Sequence, residues 1–259
     1  MWKWIKELLK RPISKRQVLY CSVIAVSVFF AAAALRMIFS DIAEDTAART
    51  EYLKLREAFP AVSGTPPPVV VEDAEEENEE EDDFDLRNLS LDELAAINRD
   101  FIGWINAGNM IDYPVVRGND NNRYIDITFF GSRNSAGTIF MDYRNSNGFD
   151  EQVAILYGHF TRDGSMFSAL INYLNPSYIR TNPNISITTR DGRKLTYRVF
   201  AATRTNAWDK AYTIGIRESS KAADEFPNAP GNASNFLLLS TCTRSSDQDE
   251  RILVFAALS

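Results

Sequence analysis

The chain has one histidine, His159, and only two cysteines, Cys21 and Cys242, in 259 residues. A single imidazole among scattered carboxylates cannot assemble a multi-ligand metal cage, so neither metal nor other cofactor is expected. Cys21 lies inside an apolar run, out of reach of the rest of the chain, which leaves Cys242 as a lone thiol rather than half of a bridge. Basic residues are outnumbered, 28 Lys+Arg against 35 Asp+Glu. The formal net charge is -7, residues 72–85 hold eleven acidic side chains and no basic one, and from Leu86 onward 18 Lys+Arg balance 18 Asp+Glu. No basic surface asks for nucleic acid, and the acidic run would repel it. No long alternation of strand and helix is present, which argues against a doubly wound parallel sheet.

What is present begins with Val18–Leu35 (VLYCSVIAVSVFFAAAAL), an uncharged apolar run of 18 residues. That is about the length needed to cross a bilayer as a helix. Lys3, Lys6, Lys10, Arg11, Lys15 and Arg16 precede it, while Asp41, Glu44 and Asp45 follow. The positive-inside rule then predicts a basic cytoplasmic tail over 1–17, a transmembrane anchor over 18–38, and an extracellular remainder. The competing reading is a cleaved signal peptide, with Ala31–Ala34 as small residues for a peptidase. The chain stops at Ser259 directly after an apolar run, and no second membrane segment is expected. Residues 39–85 read as a stalk and acidic linker: Ile42, Ala43, Ala47, Leu53, Leu55 and Phe59 suit an amphipathic helix over 41–59, PAVSGTPPP breaks it, and the carboxylates repel one another. A disordered string of carboxylates makes no preorganised cation cage.

A hydrophobic content of 45% with 12% aromatics marks a folded domain, which begins near Leu86. Ser90 and Glu93 form a capping box, and Leu94, Ile97, Phe101 and Ile105 recur at helical spacing, so a helix is expected from Ser90 to Asn106. Short apolar runs follow at 113–116, 124–128, 137–141, 152–158, 185–189, 195–203, 236–243 and 252–258, fenced by Gly, Asn, Asp or Pro. Helical pieces are expected at 165–174 and from Thr213 to Phe226. Eight strands at this spacing predict a mainly β domain closed as a barrel over 86–259.

Few residues in it can carry chemistry. His159 follows the apolar strand ILYGH and precedes the turn TRDGS, which places it at a strand end. Cys242 ends the strand LLLSTC, and Arg251 opens the next one. The intervening segment reads as a hairpin, so the two should emerge at the same end of the sheet. A thiol needs a proton acceptor to act as a nucleophile near neutral pH, and imidazole is the usual one. Acyl transfer also needs donors aimed at the developing oxyanion, which a guanidinium supplies. Arg244 competes with Arg251 for that role; the cross-hairpin position favours Arg251.

LSTC at 239–242 with Arg251 downstream resembles the sortase signature. ILYGH, DGSMF at 163–167, IDYPVV at 111–116 and GTIFMDYRN at 137–145 resemble its class B branch. The resemblance covers about 90–258. It implies an eight-stranded sortase barrel with an N-terminal helix and a helical insertion, here about 204–235, before the Cys-bearing strand. It also implies a cysteine transpeptidase in which Cys242 is nucleophile, His159 acid/base and Arg251 oxyanion stabiliser; Ser240 and Thr241, beside the nucleophile, are read either as substrate contacts or as ordinary strand residues. The implied partners are surface proteins with a C-terminal sorting signal of the Asn-Pro-x-Thr type and an amine of a peptidoglycan precursor, with the membrane reached through the N-terminal helix. Phe160 departs from the Asn many relatives carry after the histidine. The rivals are a pilin-polymerising sortase, another exported cysteine peptidase or L,D-transpeptidase, and a non-catalytic surface scaffold.

Overall fold

The computed structural model describes residues 15–59, 89–212, 226, 228–231, 233–243, 247 and 249–259. The acidic run, the 213–225 stretch of the expected insertion, and Arg244 lie outside the described residues. The chain divides into two units, Met1–Glu44 and Asp45–Ser259.

The first helix, α1 (Lys15–Ala58), is continuous for 44 residues. Among the described residues no helix is long and apolar enough to cross a membrane. The expected anchor at 18–38, and with it the single-pass topology and membrane attachment, is therefore withdrawn. The apolar run is not an element of its own: the helix continues into a half carrying Arg49, Glu51, Lys54, Arg56 and Glu57. Nor is that half a detached stalk. Ala48, Tyr52, Leu55 and Ala58 are buried with the core of the second unit, at about 1.5–3 kcal/mol for each large apolar side chain.

Ser90 caps α2 (Leu91–Ile97) through the expected box, its side chain accepting from the Glu93 amide while the Glu93 carboxylate accepts from the Ser90 amide at 2.7 Å. The helix stops there, not at Asn106. Asn98 turns to an extended backbone (φ -131, ψ 111), and Phe101–Ala107 forms strand β1. A spacing of four, as from Phe101 to Ile105, satisfies a strand's period of two as well as a helix's period. Between them Gly103 decides: a Cβ there would fall 2.7 Å from the Thr188 carbonyl oxygen, so only glycine lets this neighbouring backbone approach. Conversely, residues 124–128, expected as a strand, form a turn of 3₁₀-helix (Arg123–Ile125) and a single bridge from Ile127 to Arg133.

The remaining strands are β2 (Ile111–Val116), β3 (Ile139–Met141), β4 (Val153–Tyr157), β5 (Asn184–Thr189), β6 (Lys194–Asn206), β7 (Phe236–Cys242) and β8 (Glu250–Leu258). They close a barrel in the order β1-β2-β3-β4-β7-β8-β6-β5, with β5 returning to β1. Residues 168–174 are 3₁₀-helical and run into α3 (Pro176–Thr181). Trp104, Ile105, Ile111, Leu156, Ile187, Tyr197, Leu239 and Val254 fill one cluster; Ile155, Phe226, Phe236, Leu238 and Leu253 form a second. Within the expected insertion, β6 extends to Asn206 and one 3₁₀ turn, Lys210–Tyr212, follows.

Candidate active site

Two strand registers determine where the chemistry meets. β4 and β7 run parallel with Tyr157 abreast of Ser240. His159 lies two residues past Tyr157 and Cys242 two past Ser240, so both leave the barrel at one rim on adjacent strands, which are about 4.8 Å apart in a sheet. β7 and β8 run antiparallel with Cys242 directly opposite Arg251. His159, Ser240, Thr241, Cys242 and Arg251 accordingly line one cleft of about 500 Å³, with Ile125, Phe140, Arg144, Tyr157 and Tyr212 among its other walls. A larger cleft of about 840 Å³ around Arg99, Arg117 and Arg190 contains no thiol or imidazole.

The approach to His159 is shaped by Gly158. A Cβ on it would meet Ile139 Cδ1 at 2.5 Å and Phe167 Cγ at 2.7 Å, so a larger residue would push the chain off the rim. The Gly158 amide donates to the Ser240 carbonyl (3.2 Å), extending the β4–β7 ladder one step beyond the strand. The His159 carbonyl accepts from the Phe167 amide (3.0 Å), and Phe160 bridges Met166. On the ring itself, Nε2 lies 2.7 Å from the Ile125 carbonyl oxygen.

Cys242 is exposed and its sulfur is free of any disulfide. Ser240 and Thr241 are both buried. The Ser240 hydroxyl is engaged with the Tyr212 phenol at 2.8 Å, whereas the buried Thr241 hydroxyl has no hydrogen-bond partner among the described residues. Arg251 Nη1 donates to the Glu250 carbonyl (2.9 Å). The Glu250 carboxylate is taken up by Arg204 at 3.3 Å and by the Thr243 hydroxyl.

One wall was not singled out from the sequence. Tyr157 stacks on Tyr212 (centroids 6.2 Å, 18° between planes) and donates to Asp142 Oδ2 at 2.9 Å. The Asp142 side chain is fully buried and clasped by Arg144 through Nε and Nη2 at 2.9 and 2.8 Å. Burial opposes the Asp142 charge, but the Arg144 bonds and the Tyr157 hydroxyl prevail and hold its carboxyl below the usual range. Burial, then Asp142, push Tyr157 up, so its phenol stays neutral and remains a donor. Tyr212 is likewise pushed up by burial. Residues 142–145 had drawn notice only as part of a resemblance, and Tyr212 fell in the segment read as insertion. The available signal was the buried-type sequence IFMDYRN, which places an acid and an arginine two residues apart after an apolar strand.

A thiol, an imidazole and a guanidinium that line one cleft are groups able to support acyl transfer through a thioester. A Sortase domain family model matches residues 105–259. The chain is 38% identical over 97 residues to Sortase B of Listeria monocytogenes, spanning 37% of this chain and 39% of the relative. It is 35% identical over 119 residues to Sortase B of Staphylococcus aureus, spanning 46% of this chain and 48% of the relative. The matches thus cover less than half of each curated relative. The solved Staphylococcus aureus sortase B–substrate complex superposes with a TM-score of 0.58 at 27% identity, covering 65% of this chain and 84% of that one.

Proposed function

Because this chain belongs to the sortase family, we propose that it is a class B cysteine transpeptidase acting on proteins that bear a C-terminal sorting signal. Cys242 gives its thiol proton to His159, and the thiolate attacks the carbonyl carbon of the signal's threonine. Arg251 stabilises the tetrahedral oxyanion. The imidazolium then protonates the departing amide nitrogen, the C–N bond breaks, and a thioester to Cys242 remains. An incoming amine, assigned to a peptidoglycan precursor, gives its proton to His159 and displaces the thiol, forming a new amide.

The observation that carries this reading is the pair of registers: β4 beside β7 in parallel and β7 against β8 in antiparallel. The buried flanking positions of Ser240 and Thr241 support a role for them in shaping the site for the signal peptide, and an Asn-Pro-x-Thr signal is the preference assigned by family. The test is incubation of the purified chain with such a peptide and an acceptor amine, followed by mass spectrometry. A thioacyl adduct on Cys242 and an amide product are expected, and Cys242→Ala should yield neither. Turnover by Cys242→Ala would refute the proposal.

A further inference from the structure

We infer that Tyr52, on α1, and Gly137 act together to position the Ile125 carbonyl, and through it select which ring nitrogen of His159 exchanges protons. This rests on the reading of His159 as the acid/base. A carbonyl oxygen accepts hydrogen bonds and cannot donate them. With Nε2 at 2.7 Å from the Ile125 oxygen, the proton therefore sits on Nε2 and the lone pair of the neutral ring is on Nδ1. Nδ1 is then the atom left to take the thiol proton and return it to the leaving amine.

The Ile125 carbonyl ends a three-residue 3₁₀ turn in the β2–β3 connection, and such a turn has little rigidity of its own. Its position is set from outside. Gly137 has φ +57 and lies so close that a Cβ would stand 2.4 Å from the Ile125 oxygen and 2.5 Å from the Tyr124 oxygen. The Thr138 amide donates to Tyr124 O at 3.0 Å. Tyr52, buried, donates from Oη to the Gly137 carbonyl at 2.6 Å and accepts from the Phe129 amide at 3.3 Å. The Thr138 hydroxyl, 3.2 Å from that phenol, donates to Ile127 O at 2.7 Å. One phenol thus ties Phe129, within the 125–138 loop, to Gly137 and Thr138 at the loop's far end. Tyr52 and Gly137 touch no reacting atom on this account; they are positioning residues.

The chain's single histidine makes the test direct, since ¹⁵N-labelling of histidine yields the resonances of one ring. In the wild type, at a pH where the ring is neutral, Nε2 should show the protonated shift and Nδ1 the unprotonated one. Gly137→Ala, which drives a methyl into the Ile125 carbonyl, should give a mixture of tautomers. Its kcat should fall about 100-fold with KM changed less than about two-fold, the scale of a misplaced catalytic group. Tyr52→Phe keeps the ring and loses only the tie, so a smaller displacement and a drop in kcat of about ten-fold are expected; it decides the matter if Gly137→Ala fails to fold. A wild-type ring protonated on Nδ1, or folded variants with the wild-type spectrum and rate, would overturn the inference. Full turnover by His159→Ala would instead remove the proposed function, while the spectrum would still judge the tautomer assignment.

Discussion

Replacing Asp142 with asparagine tests the wall of the cleft without touching the thiol, the imidazole or Arg251. The carboxylate has no exposed surface, accepts two side-chain bonds and one backbone bond from Arg144, and accepts the Tyr157 hydroxyl. An asparagine can offer an oxygen to only one side; its NH₂ then faces either a guanidinium that can only donate or a Tyr157 hydroxyl that has lost its acceptor. Breaking a fully buried pair costs about 3–5 kcal/mol. Arg144 is 43% exposed and regains water, so about 2–3 kcal/mol is the appropriate expectation. For a domain of this size that corresponds to a fall in Tm of about 5–10 °C. The pH dependence has a defined sign. The Asp142 carboxyl is depressed in the folded state, so its stabilisation is present above the ordinary carboxylate pKa and is lost as pH falls through the lower folded value. Urea titrations followed by tryptophan fluorescence at neutral pH and in the acid range should show a wild-type advantage that shrinks on acidification. Equal stability of Asp142→Asn and wild type at neutral pH would refute the reasoning, as would a gap that widens in acid.

Three further outcomes are expected. His159→Ala and Arg251→Ala should each lower turnover of a signal peptide by at least about 100-fold, read as initial rates; near-normal cleavage by Arg251→Ala would pass the oxyanion role to Arg244. Gly158→Ala should cost about 1–3 kcal/mol through forced overpacking against Ile139 and Phe167 and should reduce kcat, checked by melting and kinetics on the same preparation. Leu55→Ala, at a fully buried helix position, should destabilise the domain by about 2–5 kcal/mol in urea; an effect near zero would show that α1 is not part of the core.

Strands were legible wherever β-branched and aromatic residues were concentrated and bounded by turn formers, as in 152–158 and 236–243. The barrel followed from their number, yet two individual assignments changed places. Phe101–Ala107 was read as helix because its apolar spacing fits both periods, and only the partner strands on either side, invisible in one sequence, resolve it. Tyr124–Thr128 has strand composition but meets no partner ladder beyond one bridge. The meeting of His159, Cys242 and Arg251 in one cleft was anticipated from strand ends and one hairpin. The Asp142–Arg144–Tyr157–Tyr212 wall was not, since it depends on contacts between strand and turn residues with no fixed spacing. The apolar run at 18–35 shows the opposite failure: local composition alone said anchor, while the helix containing it is long, mixed in character, and partly committed to the barrel core.

The parallel seam between β4 and β7 joins the two halves of the chain's reactive equipment across roughly eighty intervening residues, at an entropic cost of about 4 kcal/mol for bringing such distant ends together. No hairpin can align that seam, so the strand ends that bear the thiol and the imidazole become neighbours only when β4 and β7 pair. A copy in which β4 and β7 have not paired would carry both groups on separated strand ends.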